Sequence, residues 1–287
     1  MAQAEIGVIG GSGLYEMAGI TDSEFVRIDT PFGEPSDEFF VGSLEGRKVA
    51  FLPRHGRGHY IMPSELNFRA NIFAMKKLGV KWIISVSAVG SLKEEYAPTH
   101  IVLPDQFYDK TRFRNDTFFG EGIVAHISFA DPVCQSLSDI LYECGRKAGA
   151  TIHKGGTYCC MEGPAFSTRA ESEVHRKLGF DIIGMTNVQE AKLAREAELC
   201  YATMAMVTDY DAWHEEEEAV SVEQIIAVLQ QNAKTAQEIV RLAIEQIPAE
   251  QDCECSKALS TALITSPDKM PARTKKKLDL LIGKYIK

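Results

Sequence analysis

The sequence contains no apolar run approaching the roughly 18 residues that a membrane-spanning helix needs, and no secretory signal precedes its first predicted strand. It also has little positive charge, because 40 Asp and Glu residues outnumber 31 Lys and Arg residues and give a net charge of -9. A nucleic-acid-binding protein gains affinity from Lys and Arg that neutralise phosphates. We therefore expect a soluble, cytoplasmic protein that binds neither membranes nor nucleic acids.

Several familiar catalytic and cofactor motifs are absent. The dinucleotide motif GxGxxG fails after the first strand because Glu16 stands where the third glycine belongs, and no GxxxxGK[ST] phosphate loop occurs. Leu14 prevents a GxSxG nucleophile elbow around Ser12. His55 and His59 have a spacing that could bind a metal on a helix, but the intervening glycines disfavour a helix and no HExxH follows.

The seven cysteines are an odd number, which fits a reducing compartment better than a disulfide framework. Cys159 and Cys160 lie in a predicted strand and are interpreted as buried structural thiols. Cys253 and Cys255 could form a strained local disulfide or half of a metal site, but the sequence shows no second pair nearby. We therefore expect no metal site.

The 287 residues, of which 45% are apolar, fit a single α/β domain. Short apolar runs alternate with helical patterns, which predicts a central mixed, mostly parallel sheet flanked by helices on both faces. Residues 248–287 are expected to form a C-terminal extension that carries a helix. Strands are predicted at 5–10, 24–29, 37–43, 47–53, 81–87, 100–104, 155–161, 181–185 and 200–208, and helices at 64–79 (with Ser64 as N-cap), 133–149, 168–178, 188–198, 221–246 and 271–286.

Four predicted strand ends carry polar, glycine-rich sequences that together resemble an anion site: GGSG (10–13), RHGRGH (54–59), SAVGS (87–91) and MTN (185–187). Glycines let backbone N–H groups approach an oxyanion, and hydroxyls and a guanidinium fork donate to phosphate. The candidate donors are Ser12, Arg54, His55, Ser87 and Thr186. Each motif alone is more often structural, as a turn or a helix cap, so the prediction depends on their convergence.

The segment TDYDAW (208–213) directly follows a predicted strand. Asp209 and Asp211 stand two residues apart, so both carboxylates face the same way if strand geometry continues. Two carboxylates beside an apolar pocket repel each other, and one of them can stay protonated and serve as a general acid. The alternative interpretation is a pair of solvated loop aspartates, or caps of the following helix.

These motifs, in this order, resemble the methylthioadenosine phosphorylase branch of the trimeric purine nucleoside phosphorylase family. The resemblance covers about residues 5–246. It is carried by IGVIGGSGL, DTPFGEPSD, RHGRGHYIMPSELNFRANI, SAVGSL, EGPAFSTRAE, GMTNVQEA, TDYDAW and EEAVSVEQI.

The resemblance implies phosphorolysis of S-methyl-5'-thioadenosine to adenine and 5-methylthio-ribose 1-phosphate, in purine and methionine salvage. Inorganic phosphate is then a co-substrate, and no cofactor is expected. The implied phosphate ligands are Ser12, Arg54, His55, Ser87, Ala88 and Thr186. The implied substrate contacts are Met185, Phe166, Ser167, His59, Asp209 and Asp211, with Val222, Ile225 and Ile226 around the methylthio group, and Asp209 is the implied catalytic acid.

The resemblance also implies a homotrimer or a dimer of trimers, in which His126 enters a neighbouring site. Gly184 differs from the asparagine of many members of this branch and resembles the enzymes that act on 6-oxopurines. A phosphorylase for 6-oxopurine nucleosides or methylthioinosine is therefore one alternative, and a non-catalytic adenosine-binding module is another.

Overall fold

The computed structural model describes residues 3–14, 17–214 and 222–286, apart from the side chains of Ser12, residues 222–227 and Leu229. The strands are β1 (Ile6–Gly10), β2 (Thr21–Val26), β3 (Phe39–Leu44), β4 (Arg47–Pro53), β5 (Trp82–Ser91), β6 (Ile101–Leu103), β7 (Gln106–Asp109), β8 (Ile152–Lys154), β9 (Thr157–Cys160), β10 (Ile182–Gly184) and β11 (Cys200–Tyr210). The helices are α1 (Phe68–Leu78), α2 (Gln135–Lys147), α3 (Arg169–Lys177), α4 (Val188–Glu196), α5 (Val222–Gln246) and α6 (Ala272–Ile282).

The strands of the described chain join into one mixed sheet of 11 strands, with most neighbours parallel. Its main path runs β2-β3-β4-β1-β5-β10-β9-β7, and β11 branches from β5 to reach β6 and β8. The first half of β5 lies between β1 and β11, and its last residues pair with β10 instead of β1. The branch at β5 brings the ends of β1, β4, β5, β10 and β11 to one region of the sheet.

Two apolar cores lie on opposite faces of the sheet, because alternate residues of a strand point to opposite sides. One core contains residues of α1, α4 and α6, and the other contains residues of α2 and α5. Within β1, Val8 belongs to the second core and its neighbour Ile9 to the first. The predicted α/β class with helices on both faces of a mixed sheet is thus confirmed.

The boundaries differ from the predictions where local side chains override the apolar pattern. Ser64 does not cap α1: Pro63 starts a separate 3-10 turn, and the Asn67 side chain accepts a hydrogen bond from the Ala70 amide at 3.1 Å. The short strands β7 and β8 were missed, since three or four residues carry too little periodicity to detect. The predicted strand at 200–208 extends to Tyr210, after a bulge between Val207 and Asp209.

The C-terminal segment packs against the body through the apolar face of α6. Leu278, Leu281 and Ile282 are buried, and Tyr285 packs against the same core. The Tyr285 hydroxyl donates to the Glu198 carboxylate, which also accepts a bond from the Leu259 amide at 3.1 Å. None of the described helices combines the length and apolar character required to span a bilayer.

Candidate active site

The loops after β1 and β4 lie side by side, since the Arg54 amide donates to the Gly10 carbonyl at 2.8 Å. A Cβ atom built on Gly11 or Gly13 would meet no atom within 4 Å, so this loop borders open space. The Ser12 backbone lies in the short 3-10 helix of the same loop, and its side chain is outside the described residues. Among the described residues, no side chain blocks the approach of a small anion to Gly11 or Gly13 of this backbone.

Arg54 lies at the end of β4 and forms a buried ion pair with Glu190 of α4. Its Nε donates to Glu190 Oε1 at 2.6 Å and its Nη2 to Glu190 Oε2 at 3.2 Å, while the two side chains are 4% and 0% exposed. Nη2 also donates to Ser85 Oγ at 2.6 Å, and Nη1 to the Val86 carbonyl at 2.9 Å. Of the five guanidinium N–H groups, the described residues leave one, on Nη1, for a ligand.

A buried polar network surrounds this ion pair. Ser85 and Tyr201 donate to Glu190 Oε2, both at 2.9 Å. The Asn187 amide donates to Ser85 Oγ at 3.1 Å, to Tyr201 OH at 3.0 Å and to Thr203 Oγ1 at 2.8 Å. An amide has only two donor hydrogens, so these three contacts are shared. The network ties β5, β11 and the start of α4 together directly beneath the candidate anion site.

Electrostatics keep both members of the ion pair charged. Burial by itself would raise the pKa of Glu190, but the charge of Arg54 and the hydrogen bonds from Arg54, Ser85 and Tyr201 hold it below its ordinary value. Burial would lower the pKa of Arg54, and Glu190 raises it instead. Burial raises the pKa of Tyr201 well above its ordinary value, with a further contribution from Glu190, so this hydroxyl remains a donor.

The candidate hydroxyl donors Ser87 and Thr186 lie next to this network. Thr186 follows β10 and lies 3.3 Å from Ser87 of β5, oxygen to oxygen, and it donates to Asn187 Oδ1 at 2.8 Å. Ser87 and Thr186 are buried. Ala88 is exposed, although Ser87 and Val89 on either side of it in β5 are buried. The structure therefore brings Ser87, Ala88, Thr186 and Arg54 into one neighbourhood, as the sequence predicts.

His55 and His59 stack with ring centroids 4.4 Å apart. The Nδ1 of His55 lies 2.8 Å from the Ile61 carbonyl, so a neutral ring that donates there keeps its Nε2 as an acceptor. Burial, reinforced by the charge of Arg54, lowers the pKa of His55 to about 4. His55 is thus uncharged near neutral pH before an anion binds, and its partner His59 is exposed.

Asp209 of β11 and Asp211, the first residue after this strand, both lie beside Gly90 of β5. A Cβ atom built on Gly90 would be 3.2 Å from Asp209 Oδ2 and 3.6 Å from Asp211 Cβ. Asp211 is 7% exposed, and its Oδ2 is buried without a hydrogen-bond partner among the described residues. Thr208 donates to Asp209 Oδ1 at 2.5 Å. The shared orientation predicted from the spacing is present, and one carboxylate oxygen stands ready to accept a bond from a ligand.

Segments 161–167 and 184–186 line the site beside Asp209 and Asp211. The Arg114 guanidinium donates to the Met185 carbonyl at 2.7 Å and to the Glu162 carbonyl at 2.6 Å, and so holds the two segments together. Phe166 is 60% exposed, and the Ser167 hydroxyl lies 3.9 Å from the Met161 sulfur. An exposed phenyl ring at such a site can stack on a planar ligand.

Gly184 has no room for a side chain, since a Cβ atom there would lie 2.0 Å from the Tyr158 hydroxyl oxygen and 2.7 Å from Tyr158 Cζ. This hydroxyl is fully buried near Ser87 and Thr186, but it makes no hydrogen bond of good geometry with the described residues. The glycine at 184 is therefore explained by the packing of Tyr158, whatever the ligand.

The other substrate contacts that the resemblance implies are at the start of α5 and at His126. Val222, Ile225 and Ile226 belong to the first turns of α5, and their side chains are outside the described residues. His126 is exposed, and its amide donates to the Ala262 carbonyl at 2.8 Å. Sequence reasoning missed Ser85, Asn187, Glu190, Tyr201 and Arg114. The one signal was the motif GMTNVQEA, which contains both Asn187 and Glu190.

Comparison with known proteins places this chain in a family. The family model described as "Phosphorylase superfamily" matches residues 5–245. An S-methyl-5'-thioadenosine phosphorylase of Koribacter versatilis is 62% identical over 99% of this chain and 97% of the relative. One of Geobacter sulfurreducens is 60% identical over 98% of this chain and 99% of the relative. The crystal structure of a methylthioadenosine phosphorylase from an antarctic soil metagenomic library is 50% identical, with a TM-score of 0.94 over 98% of this chain and 99% of that chain.

The chain belongs to the phosphorylase superfamily. Within that superfamily it is a member of the S-methyl-5'-thioadenosine phosphorylase family, because relatives of that name match it at high identity over nearly its whole length. The resemblance identified from the sequence motifs is thus confirmed.

Glu190→Gln is expected to lower the free energy of unfolding by about 3 to 5 kcal/mol, because it leaves the buried Arg54 charge without its partner. The matched control is Glu238→Gln, which removes an exposed partner of Arg241 and should cost at most about 1 kcal/mol. Urea denaturation of both variants checks this. Equal losses would mean that the Arg54 charge does not depend on Glu190 for its compensation.

Gly184→Ala is expected to destabilise the protein, because the added methyl group overlaps Tyr158. Tyr158→Leu removes both crowding atoms, so the double variant should lose less stability than the sum of the two single variants. Gly11→Ala is the control, since its Cβ position is open. Additive losses in the thermodynamic cycle would contradict the packing explanation.

Proposed function

We propose that this chain catalyses the phosphorolysis of S-methyl-5'-thioadenosine to adenine and 5-methylthio-ribose 1-phosphate. The proposal rests on one observation. A glycine-lined candidate anion site and the carboxylates of Asp209 and Asp211 both lie beside the second half of β5. The names of the relatives agree with it. Such a reaction serves purine and methionine salvage in the cytoplasm, and it needs phosphate as co-substrate without a further cofactor.

Phosphate occupies the space bordered by the Gly11 loop, the hydroxyls of Ser87 and Thr186, and the remaining N–H of Arg54. Ser12, His55 and Ala88 complete its surroundings. The nucleoside C1' acquires oxocarbenium character as the base departs, and a phosphate held against it stabilises that charge and then forms the new C–O bond. The Arg54–Glu190 pair fixes the guanidinium before phosphate arrives, so little reorganisation accompanies the reaction.

The leaving adenine needs a proton at N7, and Asp209 supplies it. Asp211 accepts a hydrogen bond from the N6 amino group through its unpaired Oδ2. Burial makes this acceptor selective, because a buried oxygen left without a donor costs about 1 to 3 kcal/mol. Phe166 and Met185 lie against the base and ribose, and Ser167 lines the same part of the site.

The methylthio group enters an apolar pocket at the start of α5, formed by Val222, Ile225 and Ile226 with His59 nearby. The active unit is a trimer or a dimer of trimers, in which the exposed His126 approaches a neighbouring site. One thioether in an apolar pocket contributes about 1 to 3 kcal/mol. Adenosine is accordingly a poorer substrate than methylthioadenosine.

The proposal predicts that free adenine appears from methylthioadenosine only when inorganic phosphate is present, as followed by chromatography of the reaction mixture. Tight nucleoside binding without turnover would favour the adenosine-binding alternative. Adenine release at the same rate without phosphate would favour a hydrolase and contradict the assigned anion site.

Asp209→Asn is expected to reduce the kcat/KM for methylthioadenosine by about 10² to 10⁴, because an amide cannot serve as the general acid. Activity on methylthioinosine should fall less or rise, since an amide donates to O6 where a carboxylate repels it. The exposed Asp268→Asn is the control. A wild-type ratio of the two substrates near one, or a ratio unchanged by Asp209→Asn, would mean that Asp209 and Asp211 do not select the base.

A further inference from the structure

Four cysteines from three separate segments of the chain converge at one place outside the candidate active site. Cys134 is the residue before α2, Cys200 begins β11, and Cys253 and Cys255 belong to the C-terminal segment. Their four Sγ atoms all lie within 4.8 Å of one another, and Cys200 Sγ and Cys253 Sγ are 3.1 Å apart. The structure therefore supplies the second cysteine pair that the sequence did not reveal beside Cys253 and Cys255.

We propose that these four thiols form a structural zinc site, hereafter the four-cysteine site. A tetrahedral zinc with Zn–S bonds of about 2.3 Å requires sulfur atoms about 3.8 Å apart, which is within the spread found here. The ligands are all soft sulfur atoms, a set that selects zinc over magnesium or calcium. All four positions are provided by protein, as in closed structural sites, so no position remains for substrate.

The surroundings hold the thiols in place. Cys134, Cys200 and Cys255 are 2%, 0% and 6% exposed, and only Cys253 is half-buried. The Cys134 amide donates to the Tyr201 carbonyl at 2.8 Å, and this bond joins the start of α2 to β11. The side-chain amide of Gln251 donates to Cys200 Sγ at 3.3 Å and to the Lys81 carbonyl at 2.8 Å. N–H donors to sulfur are the outer contacts that stabilise metal-bound thiolates.

Zinc binding here breaks the S–H bonds and forms S–Zn bonds, and the released protons pass to solvent without oxidation or reduction. The ion joins the C-terminal segment to the ends of two core elements. The same segment is attached to the body at a second place, Glu198. This residue accepts a hydrogen bond from the Leu259 amide and pairs with Lys284 at 2.6 Å. The four-cysteine site thus anchors the segment that carries α6 to the sheet.

The test is the zinc content of the full-length protein purified under reducing conditions, measured by inductively coupled plasma mass spectrometry. We expect about one zinc per chain, loss of most of it in Cys255→Ser, and full retention in the control Cys144→Ser, whose buried thiol lies outside the site. Cys253→Ser, at the half-buried position, provides a second variant if Cys255→Ser does not fold.

A second measurement uses cobalt as the probe. After zinc is removed, Co²⁺ should bind with the intense thiolate-to-cobalt absorption of a tetrahedral site in the wild type and in Cys144→Ser, and without it in Cys253→Ser. Zinc below about 0.1 per chain, together with seven thiols titrated in the unfolded protein, would overturn the proposal in favour of free cysteines. An intact mass lower by two or four hydrogens would overturn it in favour of disulfides.

Discussion

The buried ion pair between Arg54 and Glu190 is the constraint on which the candidate site depends. Two charges withdrawn from water cost several kcal/mol each, and only close contact with further hydrogen bonds offsets that cost. Here Ser85 and Tyr201 satisfy the carboxylate, and Val86 and Ser85 satisfy the guanidinium. The main effect of the pair is to hold the end of β4 against the start of α4, rather than to add net stability.

That fixed geometry extends to both halves of the site. Asn187, whose side chain belongs to the same network, is the residue before α4, and its neighbour Thr186 faces Ser87. On the other side of β5, Gly90 leaves space into which Asp209 and Asp211 both project. The branch of the sheet at β5 explains why the candidate anion donors and the carboxylates, which come from different strands, both lie beside the second half of β5.

Much of this could be read from the sequence, because strand ends in α/β proteins are marked by glycine, serine and charged residues. The spacing of Asp209 and Asp211 was informative since strand geometry continues to Tyr210. Glu190 was not predictable from pattern, because a glutamate in a helix is ordinarily solvated and its burial depends on Arg54, 136 residues away. The four-cysteine site was missed for the same reason: its members meet only after α2, β11 and the C-terminal segment pack.

The proposed reaction depends on phosphate acting as the nucleophile at the end of β5. Phosphorus-31 nuclear magnetic resonance of a reaction mixture with methylthioadenosine tests it most directly. We expect inorganic phosphate to be consumed in a one-to-one ratio with the adenine released, and a sugar phosphate ester to appear in its place. Release of adenine with the phosphate signal unchanged would contradict it.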